Sequence, residues 1–250
     1  MGKADLHIHT TYGDGMAGVQ EVLDYVEHRT DLSVIAVTEH DRLDAALDAR
    51  DRWARGRYRF DFIVGEEVTT IEGHLIVLFI EEPLPSLRPL RETLAEAHRM
   101  GGLCIIPHPM SWLTRSVGQR VIERITAENV PGVSFDGIET MNLGPAGRVA
   151  MRKAQSLNGT RYHLADIGGS DAHFLQAIGS AYTEFEGESA QDLRQAIERR
   201  GTYAVAGRYP RLSDLGWKNI AVQQWRGLMA TPRAQGWLPT IRSFIKRVAP

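Results

Sequence analysis

Short β-branched apolar runs alternate with amphipathic stretches along most of the chain. The first run lies in ADLHIHTTYGDG (Ala4–Gly15), which reads as a strand leading into a loop that holds Asp14 between glycines. Alternation along it puts His7 and His9 on one face and Leu6 and Ile8 on the other. Val19, Val22, Leu23 and Val26 then recur at helical spacing over Val19–His28. SVIAVT (Ser33–Thr38) reads as a buried strand that delivers Glu39, His40 and Asp41, and Asp44–Ala54 as a helix. FDFIV (Phe60–Val64) runs into Gly65-Glu66-Glu67, and LIVLFI (Leu75–Ile80) has His74 at its mouth. Leu90–Met100 is predicted helical, stopped by Gly101-Gly102, and LCIIP (Leu103–Pro107) is the strand before His108.

The second half keeps the rhythm. Val117–Ala127 reads as a helix, Phe135–Thr140 as a strand ending near Glu139 and Asn142, and Pro145–Leu157 as a helix with proline in its first turn. Tyr162–Ile167 leads into the segment carrying Asp171 and His173, followed by a strand at Ala181–Phe185 and a helix at Ser189–Arg200. Roughly seven such alternations predict an α/β fold with a parallel sheet, closed or nearly closed into a barrel. Function in such barrels sits at the C-terminal ends of the strands. Residues 1–210 are expected to form this barrel domain and 211–250 a C-terminal extension packed on or beside it. In the extension Trp217 and Trp225 show no clear periodicity, whereas Trp237, Ile241, Phe244, Ile245 and Val248 fall on one helical face, with Arg242, Lys246 and Arg247 mostly elsewhere.

Composition adds limits. With 43% hydrophobic and 24% charged residues, the chain is ordinary for a soluble protein, and no run of 18 apolar residues suggests a membrane span. MGKADLH enters a strand directly, without a signal peptide. The single cysteine, Cys104, excludes internal disulfides and a cysteine-held zinc, and points to a reducing, cytoplasmic home. The net charge of −2 hides an asymmetry: residues 1–210 carry 22 Lys and Arg against 30 Asp and Glu, residues 211–250 seven against Asp214 alone. The basic C-terminal helix is therefore expected to dock on the acidic barrel or on an anionic partner.

The candidate chemistry lies at the strand ends. Of nine histidines, His7, His9, His40, His74, His108 and His173 fall there, together with Glu67 and Asp171; His28, His98 and His163 do not. Imidazoles and carboxylates without thiolates suit Zn²⁺, Mn²⁺ or Fe²⁺, and Glu67, on a strand between the histidine groups, is the natural bridge between two cations. Closely spaced dications acidify a shared water and neutralise phosphoryl charge, which makes a phosphoesterase without a Ser or Cys nucleophile.

HIHTTYGDG, TEHD, GEEV, IPHP and GSDAH, in this order over about residues 5–205, resemble the motifs of the polymerase-and-histidinol-phosphatase (PHP) family. The resemblance implies a distorted (β/α)₇ TIM-like barrel with two or three divalent metals in its mouth. It places His7, His9, Glu67 and Asp171 on one metal, Glu67, His74 and His108 on a second, and Asp14, His40 and His173 on a third. The family pattern selects Glu67 over Glu66, which would turn away to solvent or to a neighbouring loop. It further implies hydrolysis of a small phosphate ester, a phosphomonoester or nucleotide, by a metal-bound hydroxide, with no dedicated side-chain base. The alternatives are an exonuclease or phosphodiesterase on short oligonucleotides, a histidinol-phosphatase-like enzyme, and a non-catalytic metal-binding module. Arg115 and Asn142 are candidate phosphate contacts, and Tyr12 and Trp112 candidate stacking groups. Asp5, Glu39, Asp41 and Glu139 are candidates for orienting the ligand imidazoles.

Overall fold

The computed structural model describes residues 1–230. The amphipathic segment Gly236–Val248 lies outside the described residues. Nine strands form one sheet: β1 (Gly2–Asp5), β2 (Val34–Val37), β3 (Asp61–Thr69), β4 (His74–Leu78), β5 (Leu103–Ile106), β6 (Gly137–Met141), β7 (Ala165–Gly168), β8 (Ala181–Phe185) and β9 (Thr202–Ala206). The order is β7-β6-β5-β4-β3-β2-β1-β8-β9, and β7 comes back against β8 and β9 to bring the sheet close to closure. At that seam the Thr183 hydroxyl of β8 lies 3.0 Å from both the amide and the carbonyl of Gly168.

Parallel pairing holds for β1–β2–β3 and β5–β6–β7, but β4 is antiparallel to both its neighbours and β8 and β9 are antiparallel additions. The wholly parallel sheet expected from the alternation is thus corrected to a mixed one. The reason is chain length. Only residues 70–73 separate β3 from β4, far fewer than the dozen or so a parallel crossover needs. An antiparallel strand presents its first residue, rather than its last, at the functional end, which puts His74 beside Glu67. Strand β9 follows β8 by way of a helix that carries no reading of its own strand in the sequence pattern.

Nine α-helices are described, besides a π-helical turn and a 3₁₀ turn: α1 (Val19–Arg29), α2 (Asp44–Arg55), α3 (Leu90–Arg99), α4 (Gln119–Glu128), α5 (Pro145–Arg148), α6 (Met151–Leu157), α7 (Ala190–Glu198), α8 (Leu212–Leu215) and α9 (Trp217–Ala230). The single helix expected over Pro145–Leu157 is interrupted after Arg148, where Ala150 leaves helical geometry at φ −124° and ψ 11°. The core divides by strand face. Ala4, Val34, Ala36, Ile63, Ile76, Leu78, Ile105 and Ile167 fill the barrel interior, together with Leu193, Ala196 and Ile197 of α7. The alternate residues Ile35, Val37, Phe62, Val77 and Ile106 pack outward with α1, α2 and α3. Helix α7 is tied to the start of β3 by Asp61, which accepts from the Ala190 amide at 2.8 Å. It therefore closes the end opposite the site. Strand β1 stops at Asp5, and past it the alternation relaxes: Leu6 joins the interior, whereas Ile8 joins the outer layer.

Candidate metal centre

The strand ends converge on Glu67. Its Oε2 lies 3.2 Å from His7 Nε2, 3.4 Å from His9 Nε2 and 3.2 Å from His40 Nδ1. Its Oε1 lies 2.9 Å from both His74 Nδ1 and His108 Nε2. Asp171 Oδ1 stands 3.5 Å from His7 Nε2 and 3.4 Å from His9 Nε2. On the far side of His9, His173 Nε2 is 3.1 Å from Asp14 Oδ2, and the His9 and His173 rings stack at 4.3 Å. All nine candidate ligands are therefore brought together. The two oxygens of Glu67 face different groups of imidazoles.

These spacings suit ligands that share an ion. Atoms bound at about 2.1 Å to one cation stand roughly 3.0–3.4 Å apart at octahedral to tetrahedral angles. Orphaned atoms point the same way. His9 Nε2, both nitrogens of His74 and Asp14 Oδ1 are buried without a hydrogen-bond partner. The 2.9 Å approach of His74 to Glu67 lies off the line of a hydrogen bond, so proximity there is not explained by one. Unpaired polar atoms at this depth cost about 1–3 kcal/mol each, and a cation satisfies them together.

The other ring nitrogens are held. His7 Nδ1 donates to Glu139 Oε1 at 2.8 Å and His9 Nδ1 to Glu39 Oε1 at 3.2 Å. His173 Nδ1 donates to the Asp171 carbonyl at 3.0 Å. The Ser116 hydroxyl donates to the His108 carbonyl at 2.8 Å, which leaves its lone pair to accept from His108 Nδ1 at 3.0 Å. Each of these four imidazoles thereby turns a bare Nε2 toward the carboxylates. Ser116 carries no signal of this role in the sequence.

Charge follows the same geometry. Burial opposes ionisation of Glu67, yet His40, His74 and His7 around it hold its carboxyl well below the usual range. Burial likewise opposes a charge on His7 and His9, but Asp171 and the other carboxylates outweigh it and raise both well above an ordinary histidine. His40, where burial prevails, is lowered. Glu66 is buried on the opposite side, where its Oε1 accepts from the Leu84 amide at 2.6 Å, and burial pushes its carboxyl up to about 8. It holds a neighbouring loop and does not face solvent.

The remaining candidates separate. Glu139 accepts from the His108 amide at 2.6 Å and Asn142 Nδ2 at 2.8 Å in addition to His7. Asn142 is thus engaged with Glu139 and with the Gly144 amide, at 2.9 Å, and is 2% exposed. Asp5 accepts from the Ser170 and Gly179 amides at 3.0 and 2.8 Å, so it fixes backbone and not an imidazole ring. Asp41 accepts from the Thr69 amide at 2.7 Å. Tyr12 packs under Arg42 and donates to Asp48, away from the cavity. Arg115 and the exposed Trp112 line the cavity of about 780 Å³ that opens over the centre, with Arg115 the one Lys or Arg among its described lining residues.

Residues 152–202 match the PHP_C family model, described as PHP-associated. A two-domain Bacteroides vulgatus protein, described as containing a predicted PHP-like metal-dependent phosphoesterase, superposes with a TM-score of 0.66 at 20% identity over 90% of this chain and 69% of its own. The matched segment is thus similar to the PHP-associated family, and the chain shares the fold of PHP-like proteins. The chain is also similar to an uncharacterised protein of Methanocaldococcus jannaschii, 28% identical over 165 residues (60% of this chain, 90% of the relative), and to the 5′-3′ exoribonuclease Rnm of Salmonella typhimurium, 25% identical over 148 residues (58% and 45%). Endonuclease Q bound to a duplex with an abasic lesion shares the fold at a TM-score of 0.57 and 14% identity, over 79% of this chain and 56% of its own.

Proposed function

We propose that this protein is a PHP-like metal-dependent phosphoesterase that hydrolyses a small phosphate ester at a centre of two or three Zn²⁺, Mn²⁺ or Fe²⁺ ions. The observation that carries the reading is Glu67, whose two oxygens are shared among five imidazoles. His7, His9, Glu67 and Asp171 would hold one ion, Glu67, His74 and His108 a second, and Asp14, His40 and His173 a third. Bound there, the ions would supply an acidified water and neutralise charge on the phosphoryl oxygens. The residues of the chain do the positioning. Glu39, Glu139 and Ser116 hold His9, His7 and His108 in the tautomer that offers Nε2. Arg115, which lines the cavity, would take a phosphate oxygen from the rim. Glu67 and Asp171 stay ionised and are committed to the centre, so neither is a free proton acceptor.

An oligonucleotide exonuclease is the second reading, favoured by the likeness to an exoribonuclease and to a lesion endonuclease. The acidic body of residues 1–210 favours the small ester, because a long polyanion prefers a basic track. Residues 1–210 are taken as the catalytic body and 211–250 as its extension. No described helix is long and apolar enough to cross a membrane, and the free, buried Cys104 supports placing the protein in the cytoplasm. The test is phosphate release by metal-stripped full chain, with and without Mn²⁺ or Zn²⁺, from nucleoside monophosphates, histidinol phosphate and dinucleotides. Release should require added metal; no release from any ester would favour the non-catalytic module.

A further inference from the structure

Helix α9 is amphipathic the wrong way round for a helix docked on an apolar core. Its outward residues Trp217 and Trp225 are 75% and 65% exposed. Ile220, Gln223, Gln224 and Gly227, spaced i, i+3, i+4, i+7, line the cavity over the metal centre. Apart from Ile220, polar and small groups therefore face inward, as they should if the helix borders a polar site.

The approach is close at several points. Gln223 is 8% exposed, and its Nε2 lies 3.5 Å from Asp14 Oδ2, at the outer limit of a hydrogen bond. Gln224 Nε2 donates to Gln223 Oε1 at 2.8 Å, which turns the donor end of the buried amide toward the carboxylate. Arg226 donates to the Gly15 carbonyl at 2.9 Å, one residue from Asp14. A Cβ on Gly227 would come within 3.1 Å of Asp14 Oδ2. Glycine inside a helix costs about 0.5–1 kcal/mol relative to alanine, and here its missing Cβ is what lets the helix meet Asp14.

Across the cavity stands Trp112–Arg115, and the space between is about 780 Å³, within the roughly 300–1,000 Å³ of pockets that enclose one small ligand. We propose that α9 is the substrate-selecting wall of the centre, and that Ile220 and Gln224, which Gln223 braces, favour phosphate esters with a leaving group of about nucleoside size, carrying hydrogen-bonding groups, over smaller ones and over duplex ends. This rests on the phosphoesterase reading. It adds that leaving-group selection lies outside the barrel, in the extension.

The experiment compares thymidine 5′-monophosphate, p-nitrophenyl phosphate and a 5′-phosphorylated duplex, using full-length wild type, Gln224→Ala and Ile220→Ala with metal content measured on each. Wild type should prefer the nucleotide and leave the duplex intact. Either substitution should raise KM for the nucleotide about tenfold, with kcat and the p-nitrophenyl ester moving much less. Equal effects on both esters at unchanged metal content, or hydrolysis of the duplex by wild type, would overturn the wall. A second readout needs no turnover: hydrogen exchange of residues 217–227 in metal-loaded wild type should slow when thymidine 5′-monophosphate is added. If wild type cleaves no ester, the phosphoesterase reading fails and the exchange result alone decides the wall, with unchanged exchange counting against it.

Discussion

An imidazole can turn only one of its two nitrogens to a cation, and the other must find an acceptor that fixes the tautomer. Glu139 does this for His7 and at the same time takes the His108 amide, so one carboxylate braces candidate ligands just past β1 and β5. Glu139→Gln would put an amide NH₂ among three donors. Metal affinity should fall about 10–100-fold, read by titration against a competing chelator, whereas an unchanged affinity would remove Glu139 from the account. The histidines were legible because histidine is sparse and six of nine fall at strand ends. Ser116 and Gln223 were not, since hydroxyls and amides are common and these two act through contacts that no local spacing encodes. Asn142, on the same strand end as Glu139, reads like a substrate contact from its position but is consumed by its neighbours.

Among the elements, α3 is pinned by His98, which is not one of the nine candidate ligands at the strand ends. Its Nδ1 faces the Gly132 carbonyl at 3.0 Å and its Nε2 the Asp136 carboxylate at 2.9 Å, so both nitrogens meet acceptors. The hydrogen bond that His98 donates to Asp136, opposed by burial, raises the His98 pKa above 6.5. A folded value above the unfolded one means the contribution is full below about pH 6.5 and is lost as pH rises through the folded value. His98→Gln should therefore cost about 1 kcal/mol in denaturant melts at pH 6 and clearly less at pH 9; an equal loss at both would mean the imidazole is neutral in the fold. Element positions were largely legible from periodicity, with helix ends off by a residue or two. Strand direction was not. The pattern LIVLFI looks the same in either direction, and only the four-residue spacing after Thr69 reveals that β4 turns back.

At the scale of the molecule, a mixed barrel closed below by α7 and bordered above by α9 encloses a cavity whose floor is the Glu67 cluster. The barrel could be foreseen from alternation, because interior and exterior faces both need apolar residues. Helix α9 could not, because amphipathic reasoning assumes an apolar inner face, and its amides instead face the site. The central claim is that Glu67 bridges cations that do the chemistry. The most direct measurement is metal bound per chain, together with metal-dependent phosphate release, for wild type and Glu67→Ala. Glu67→Ala should lose more metal than His74→Ala or His173→Ala, at least one ion per chain, and its rate should fall about 10²-fold or more. Glu67→Ala with wild-type metal content and wild-type phosphate release would contradict the claim.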